Sequence, residues 1–228
     1  MKRSQINAIL ASAKEFIADC GFNLPPFAFW GPGDWAGKGN ECDEIRKNML
    51  GWDITDFGLG DFRKVGLAIF TIRNGNYDDP DDPKPYAEKL LIAQEDQVTP
   101  THFHWKKMED IINRAGGNLV MELNASTADE ALDGTTPVRV STDGVVRTVE
   151  AGGRLVLRPG ESITLVQGMY HKFWAEAGSG PVLIGEVSAV NDDTADNRFV
   201  DEVGRFPEIE GDEPPLHYLC NEYPPASD

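Results

Sequence analysis

Short β-rich runs separated by turn residues fill the middle of this chain, and they constrain its fold more than any other feature. They occupy residues 65–190, where Asn74-Gly75, Asp143-Gly144 and Gly152-Gly153 mark turns between them. No long helical pattern interrupts the series. Consecutive strands without intervening helices form antiparallel sandwiches or barrels. The pattern therefore predicts an all-β barrel of about nine short strands.

The segments on either side of this series have different patterns. Between Ile6 and Ile17, apolar residues recur at helical spacing, and Gly21 closes the pattern. We expect residues 1–60 to form a helical and irregular N-terminal extension that packs on the barrel. Residues 61–228 then form the barrel together with an acidic C-terminal tail that wraps around it, and the whole chain is one structural unit.

Composition and charge exclude several classes of function. The net charge of −17 argues against nucleic acid or an anionic membrane as a partner and favours a neutral or cationic ligand. No apolar run approaches the ~20 residues of a membrane helix, and no apolar signal-peptide core follows the basic N-terminus. The three cysteines are too few and odd in number for a disulfide framework. We therefore expect a cytoplasmic protein with reduced thiols.

Two of the four histidines, His102 and His104, form a His-x-His pair in a predicted strand. Alternate side chains of a strand share a face, so both imidazoles can reach one ion. Such a pair alone is as compatible with an exposed strand surface. Glu109 shortly after it and His171 in a later predicted strand favour a metal site, because three imidazoles and a carboxylate suit a divalent ion of the Mn, Fe or Zn type.

Charged residues inside apolar runs are further candidates for this site. Lys89 and Glu186 each lie in an apolar predicted strand, where a charged side chain either points to solvent or needs a partner in the barrel mouth. Two adjacent lysines precede Glu109. Lys106 shares the metal-binding face if the strand continues, whereas Lys107 turns inward if the strand bends.

The motif spacing resembles that of the cupin superfamily, whose fold is a double-stranded β-helix or jelly-roll barrel. The two motifs are His-x-His-x4-Glu-x6-Gly and Gly-x5-Val-x-Gly-x2-His. Asp96, Val166 and Ala175 depart from the usual Gly, Pro and Asn of these motifs, but the ligand positions are intact. The resemblance implies a metal held by His102, His104, Glu109 and His171.

Most of the chain is also similar to the cupin-fold D-lyxose isomerases. The similar segments include Glu88-Lys89-Leu90, Thr99-Pro100-Thr101-His102, Glu186-Val187-Ser188 and Gly204-Arg205-Phe206. This resemblance implies Mn²⁺-dependent interconversion of D-lyxose and D-xylulose, with some activity on D-mannose and D-fructose. Co²⁺, Fe²⁺ or Zn²⁺ are other candidate ions. It also implies a small neutral sugar as the ligand and a homodimer as the assembly.

Aldose–ketose isomerisation removes a proton at C2 and returns one at C1 through an enediol, unless a hydride shifts directly. A metal that bridges O1 and O2 of the sugar would stabilise the developing negative charge. Within this resemblance we predict that Glu202 is the carboxylate base and that Lys107 donates to a sugar oxygen. Lys89, Glu186 and Arg205 are predicted to bind the substrate.

Three other functions are compatible with the same ligand set. A cupin Fe(II) dioxygenase would use these ligands but would favour an apolar oxygen pocket over charged residues. An isomerase of phosphosugars would need a cluster of Arg and Lys, which the acidic sequence does not offer. A non-catalytic metal- and sugar-binding cupin would have no base near the open metal positions.

Overall fold

In the computed structural model, which describes residues 1–227, two antiparallel sheets face each other and an N-terminal helix packs on one of them. The helices are α1 (Arg3–Asp19), α2 (Pro32–Trp35) and α3 (Asp43–Lys47), and 3₁₀ turns span Pro26–Phe29 and Asn40–Cys42. The strands are β1 (Gly51–Thr55), β2 (Leu67–Arg73), β3 (Tyr86–Ala93), β4 (His102–Phe103), β5 (Glu109–Gly116), β6 (Leu119–Ser126), β7 (Leu132–Asp133), β8 (Val138–Thr142), β9 (Val145–Val149), β10 (Gly153–Leu157), β11 (Ser162–Leu165), β12 (Tyr170–Ala175), β13 (Val182–Ala189) and β14 (Arg198–Phe199).

The strand order confirms the predicted all-β barrel. The larger sheet has the order β1-β2-β3-β13-β5-β11-β8-β9, and the smaller has the order β10-β6-β12-β4-β14 with β7 paired to β6. Both sheets contribute to the apolar core between them, which includes Ile69, Leu91 and Ile184 from the larger sheet and Met121 and Phe173 from the smaller one. Among residues 1–227, no helix is long and apolar enough to cross a bilayer.

Strand β2 is buried on both faces, which explains its uninterrupted apolar sequence. Leu67 and Ile69 belong to the core between the sheets, whereas Ala68 and Phe70 belong to a second core against α1. The helix contributes the buried residues of its 3.6-residue period to this second core, namely Ile6, Leu10, Ala13 and Ile17. Strand alternation thus assigns adjacent residues to different cores, and β3 follows the same rule.

The larger sheet begins earlier than the sequence predicts. Strand β1 lies inside residues 1–60, which we predicted as helical or irregular, and it pairs with β2 along its full length. Its Trp52 and Ile54 enter the core against α1, whereas Thr55 on the other face lines the barrel cavity. An acid, Asp53, sits between those two apolar residues and conceals the strand pattern.

The strand predicted to hold the first two metal ligands is also shorter than expected. Only residues 102–103 form β4, the chain then bends, and a separate strand β5 starts at Glu109. The apolar pattern gives no strand at β5, because polar residues interrupt it. One of them, Asn113, is buried, and its side-chain amide donates to the carbonyls of Gly117 and Leu157. A buried polar side chain with its own partners breaks apolar alternation without breaking the strand.

Two turns of the motifs use left-handed backbone. Asp96 has a φ of 56°, at the position where the cupin motif usually has glycine, and its N–H donates to the carbonyl of Ala175 at 3.1 Å. Gly168 has a φ of 74°, and its N–H donates to the carbonyl of His104 at 3.0 Å. Aspartate is among the few residues that tolerate this region, so the first turn forms without glycine.

The C-terminal segment crosses the barrel mouth and then returns along the N-terminal residues. Its residues 191–205, which we call the strap, include β14, and β14 pairs with β4. Farther along, Cys220 donates its N–H to the carbonyl of Trp52 at 2.7 Å, and the Tyr223 hydroxyl donates to the carbonyl of Leu50 at 2.8 Å. The segment therefore connects the helical side of the molecule with the mouth of the barrel.

Candidate active site

Three imidazoles and a carboxylate converge at the mouth of the barrel. His102 on β4 and His171 on β12 are paired in register, and His104 follows two residues later. One ring nitrogen of each histidine lies within 4.8 Å of those of the other two. Oε1 of Glu109 lies 3.4 Å from Nε2 of His104 and 3.2 Å from Nε2 of His171. All four predicted ligand residues therefore meet at one point.

The hydrogen bonds of the three rings fit a bound divalent ion. Nδ1 of His102 lies 2.8 Å from the carbonyl of Pro100, Nδ1 of His104 lies 2.8 Å from that of Asp196, and Nδ1 of His171 lies 3.0 Å from that of Met169. A carbonyl only accepts, so each Nδ1 carries the proton and each Nε2 keeps a free lone pair. Imidazoles that ligate a metal are oriented by such contacts.

The electrostatics of the site keep its donors deprotonated. Burial and the neighbouring His171 and His104 hold the pKa of His102 well below its usual range. Burial alone would raise the pKa of Glu109, but the ammonium of Lys107 at 2.7 Å, together with His104 and His171, holds that pKa well below the usual range. Metal ligands must be deprotonated, so both groups are ready to bind an ion at neutral pH.

Lys107 connects the metal ligands to a second buried carboxylate. Its Nζ lies 2.7 Å from Oε2 of Glu109 and 2.8 Å from Oε1 of Glu186. The side chains of Lys107 and Glu186 are almost fully buried. Burial would lower the pKa of Lys107, but Glu109, Glu186 and Asp193 together raise it. Nζ of Lys89 reaches the same Oε1 of Glu186 at 3.6 Å.

The series of buried ion pairs continues from Lys89 into the strap. Nζ of Lys89 lies 3.5 Å from Oδ2 of Asp193, which also accepts a hydrogen bond from Nη2 of Arg205 at 2.9 Å. The same Nη2 pairs with Oδ2 of Asp53 on β1. Burial opposes the charged form of Asp193, but Arg205, Lys89 and Lys107 hold its pKa well below the usual range. The chain of ion pairs thus holds four carboxylates and three cations.

These groups surround a cavity of about 60 Å³ between the two sheets. Its floor is apolar and includes Ile69, Leu91 and Phe173, whereas the strap supplies Phe199 near its opening. The ring of Phe199 lies 5.3 Å from that of His102 and 6.0 Å from that of Phe57, measured between centroids. The site is therefore a small polar chamber with an apolar floor.

The structure brings four of the five other predicted site residues to this cavity. Lys107, Lys89, Glu186 and Arg205 all line it. Lys107 points inward because the chain bends after β4, and Lys106 is exposed as a consequence.

Glu202 is the exception among the predicted residues. Its side chain is exposed and does not line the cavity, because the strap turns outward there before Gly204 donates its N–H to the carbonyl of Phe57 at 2.9 Å. A general base must come within hydrogen-bond reach of the proton it moves. This placement contradicts the role predicted for Glu202. Glu186, which we predicted only to bind substrate, is the buried carboxylate that faces the cavity beside Lys107.

Two carboxylates of the site were missed by sequence reasoning. Asp53 had a usable signal, since it is an acid between the apolar Trp52 and Ile54 in the same way as Glu186 in its own strand. Asp193 had none. It lies in the irregular strap among other acidic residues, where the sequence gives no period that separates a solvated side chain from one pointing into a cavity.

The chain is similar in sequence to proteins of one family over nearly its full length. The family model described as D-lyxose isomerase matches residues 1–223. A D-lyxose/D-mannose isomerase of Serratia proteamaculans is 50% identical over 225 residues, which cover 98% of each chain. A D-lyxose/D-mannose isomerase of Escherichia coli O157:H7 is 48% identical over the same length and coverage.

Solved structures share the fold at low sequence identity. The L-ribose isomerase of Acinetobacter sp. DL28 in complex with L-ribose has a TM-score of 0.61 at 13% identity, and the match covers 92% of this chain and 98% of that one. The L-ribose isomerase of Cellulomonas parahominis with L-psicose has a TM-score of 0.59 at 18% identity and the same coverage. These similarities show that the chain shares its fold with these structures.

Proposed function

The chain belongs to the D-lyxose isomerase family, and from this premise we propose that it interconverts D-lyxose and D-xylulose, and D-mannose and D-fructose. One observation carries the proposal beyond family membership. A four-donor metal site and a buried lysine–glutamate pair lie side by side in one cavity, with Lys107 in contact with Glu109 of the first and Glu186 of the second. Metal-dependent aldose–ketose isomerisation through an enediol uses both a Lewis acid and a proton carrier.

His102, His104, Glu109 and His171 would hold the metal, and we propose Mn²⁺. A divalent ion bound there supplies Lewis-acid stabilisation of negative charge on the sugar oxygens. The oxygen and nitrogen donors suit Mn²⁺ and also Co²⁺, Fe²⁺ or Zn²⁺, so cellular availability decides among them. The four carboxylates and three cations of the ion-pair chain leave an excess negative charge, which such an ion offsets.

We assign proton transfer between C2 and C1 to Glu186. Glu109 is engaged with two imidazoles, and Asp193 lies farther along the ion pairs, beside Arg205. Glu186 is the buried carboxylate next to the metal site, and both of its lysine contacts are made through Oε1. Lys107 donates to Oε1 of Glu186 and keeps that carboxylate oriented. Its ammonium also offers a hydrogen bond to a sugar oxygen, where it would stabilise developing negative charge.

Arg205 and Lys89 are proposed to bind the sugar hydroxyl groups. Among the described residues, Nη1 of Arg205 is buried and has no hydrogen-bond partner. A buried guanidinium donor without a partner is costly, and a substrate hydroxyl would satisfy it. Lys89 contacts its two carboxylates only at 3.5 and 3.6 Å, so its ammonium also retains donor capacity.

The cavity favours the isomerase over a dioxygenase on the same ligands. Two lysines, an arginine and three carboxylates line it, and a polyhydroxylated substrate can use such groups whereas molecular oxygen cannot. The buried Glu186 also argues against a metal-binding protein without catalysis, which would need no carboxylate there.

A homodimer and a cytoplasmic location are parts of the same proposal. Cys20, Cys42 and Cys220 are all free thiols, in keeping with a reducing compartment. Light scattering of the purified protein tests the dimer, since the monomer has a mass of 25.1 kDa.

The function is tested with protein that has been stripped of metal by a chelator. D-Lyxose and D-mannose are each incubated with it, with and without Mn²⁺, and ketose formation is followed by carbon NMR. The proposal expects D-xylulose and D-fructose only when the ion is present. No ketose with any divalent ion, together with oxygen uptake in the presence of Fe(II), would reject the isomerase and favour the dioxygenase.

A further inference from the structure

Asp196 joins the strap to the metal-binding segment by three hydrogen bonds. Its two carboxylate oxygens accept the backbone N–H groups of Lys106 at 2.8 Å and Lys107 at 2.9 Å. Its own carbonyl accepts the Nδ1–H of His104 at 2.8 Å. The residue is buried, with an exposed fraction of 4%. A single residue therefore contacts both the backbone of the bend after β4 and the side chain of a metal ligand.

The bend that Asp196 holds determines which lysine enters the cavity. Lys106 is exposed, whereas Lys107 is buried with its Nζ between Glu109 and Glu186. Backbone N–H groups at a bend have no strand partner, and buried ones need an acceptor. The Asp196 carboxylate is that acceptor for both residues, so it stabilises the conformation in which Lys107 points inward.

The turn after β11 holds the same bend from its other side. Gly168 donates its N–H to the carbonyl of His104 at 3.0 Å, and Nε2 of Gln167 donates to the carbonyl of Lys106 at 3.0 Å. These contacts fix carbonyl groups of the bend. Asp196 complements them, because it fixes the amide groups and also reaches the imidazole ring.

We propose that Asp196 is a positioning residue that sets the orientation of the His104 ring and the inward turn of Lys107, so that docking of the strap controls metal affinity. This rests on the proposed function, because it concerns the same metal centre. The Asp196 carbonyl fixes the Nδ1–H tautomer of His104 and so leaves Nε2 free for the metal. The side chain of Asp196 holds that carbonyl in place through the two amides of the bend.

The test measures Mn²⁺ affinity in Asp196→Ala and in Asp133→Ala, by titrating chelator-stripped protein and following the paramagnetic resonance signal of free Mn²⁺. Asp133 is a matched control, because its carboxylate also accepts two backbone N–H groups, those of Thr135 at 2.8 Å and Thr136 at 3.0 Å, in a turn outside the cavity. We expect Asp196→Ala to raise the Kd for Mn²⁺ by about 10- to 100-fold, and Asp133→Ala to leave it unchanged.

Asp196→Asn keeps one acceptor oxygen and serves as the conservative variant. A smaller rise in Kd than in Asp196→Ala, at a thermal midpoint close to that of the unmodified protein, supports the proposal. If Asp196→Ala does not fold, Asp196→Asn decides alone, and an unchanged Kd there overturns it. Equal rises in Asp196→Ala and Asp133→Ala would also overturn it, since they would indicate general destabilisation.

The affinity measurement needs no turnover, so it separates this proposal from the proposed function. An unchanged Kd in the Asp196 variants of an active isomerase rejects the positioning role alone. Failure of the unmodified protein to form any ketose rejects the isomerase alone, and the Kd values still report on Asp196. With saturating Mn²⁺, kcat of Asp196→Ala is expected to remain below that of the unmodified protein, because Lys107 is no longer held inward.

Discussion

The two faces of strand β3 show how one sheet carries two different environments. Leu90 and Ile92 lie in the apolar core against α1. Lys89, one residue earlier, points the opposite way into the barrel mouth and joins a chain of ion pairs. Leu91 on that same inner face lies deeper, in the core between the sheets. At Leu90 and Ile92 the outer face therefore contributes packing alone, whereas the inner face changes from packing at Leu91 to charged contacts at Lys89.

This contrast matters because the two environments contribute differently to stability. Apolar burial stabilises the fold in proportion to the area removed from water. Buried ion pairs contribute little net stability, since desolvation offsets the attraction between the charges. We therefore expect that substitutions on the outer face change the free energy of unfolding, and that substitutions on the inner mouth change activity.

The largest loss of activity is expected from the metal ligands. Glu109→Gln keeps the shape of the side chain but removes the charge that faces two imidazoles. Loss of the ion withdraws several kcal/mol of charge stabilisation, so kcat/KM should fall by about 10³-fold or more. Metal content after dialysis and steady-state kinetics measure both effects. Glu88→Gln is the control, because its partly exposed pair with Arg73 lies on the same sheet outside the cavity, and normal activity is expected there.

Glu186→Gln should retain the metal and lose the proton carrier. General acid–base catalysis by one side chain contributes about 10²- to 10⁴-fold, and we expect kcat to fall within that range. The Kd for Mn²⁺ should change little, because Glu186 is linked to the metal site only through Lys107. Parallel loss of metal and activity would instead make Glu186 part of the metal site, and unchanged kcat would remove it from catalysis.

The adjacent pair Lys89 and Leu90 tests the two faces of β3 directly. Leu90→Ala should lower the free energy of unfolding by about 2–5 kcal/mol and leave kcat and KM of the folded protein unchanged. Lys89→Met should raise KM in the folded, metal-loaded protein, and its cost in stability is limited because Glu186 and Asp193 each keep another cation. Urea unfolding and steady-state kinetics of both variants are the measurements. A reversal of the two patterns would refute the division between the faces.

The smallest effect is expected at the contact between helix α1 and the C-terminal segment. Nζ of Lys14 on α1 lies 2.7 Å from Nε2 of His217 in the C-terminal segment. Burial, reinforced by Lys14, lowers the pKa of His217, so the folded state binds this proton less readily than the unfolded chain. Stability should therefore fall as the pH drops below about 6.5. In His217→Gln this decline between pH 7 and pH 5 should be smaller, as measured by thermal unfolding of the metal-loaded protein.

The sequence predicted the features that depend on spacing. His102 and His104 share a face because a strand has a period of two, and His171 lies in a recognisable second motif. The apolar run that contains Lys89 predicted the strand observed as β3. Lys89 was left open between solvent and the barrel mouth, and the parity it shares with Leu91 in the inner core resolves that choice.

The features that depend on irregular backbone could not be predicted. Glu202 and Asp193 both lie in the strap, and only the three-dimensional path of that segment makes the first exposed and the second a partner of Arg205. Asp196 is a similar case, since its role arises from contacts with a bend about 90 residues away in sequence. Spacing rules describe periodic elements, and neither the strap nor the bend is periodic.

Isomerisation of D-lyxose in deuterated water by the Mn²⁺-loaded protein tests the central claim most directly, with Glu186→Gln measured beside it. Proton transfer by Glu186 predicts D-xylulose that carries deuterium at C1, and it predicts that Glu186→Gln loses ketose formation and deuterium incorporation together. A Glu186→Gln variant that forms D-xylulose at full rate, or that incorporates deuterium as the unmodified protein does, would contradict the claim that this buried carboxylate carries the proton.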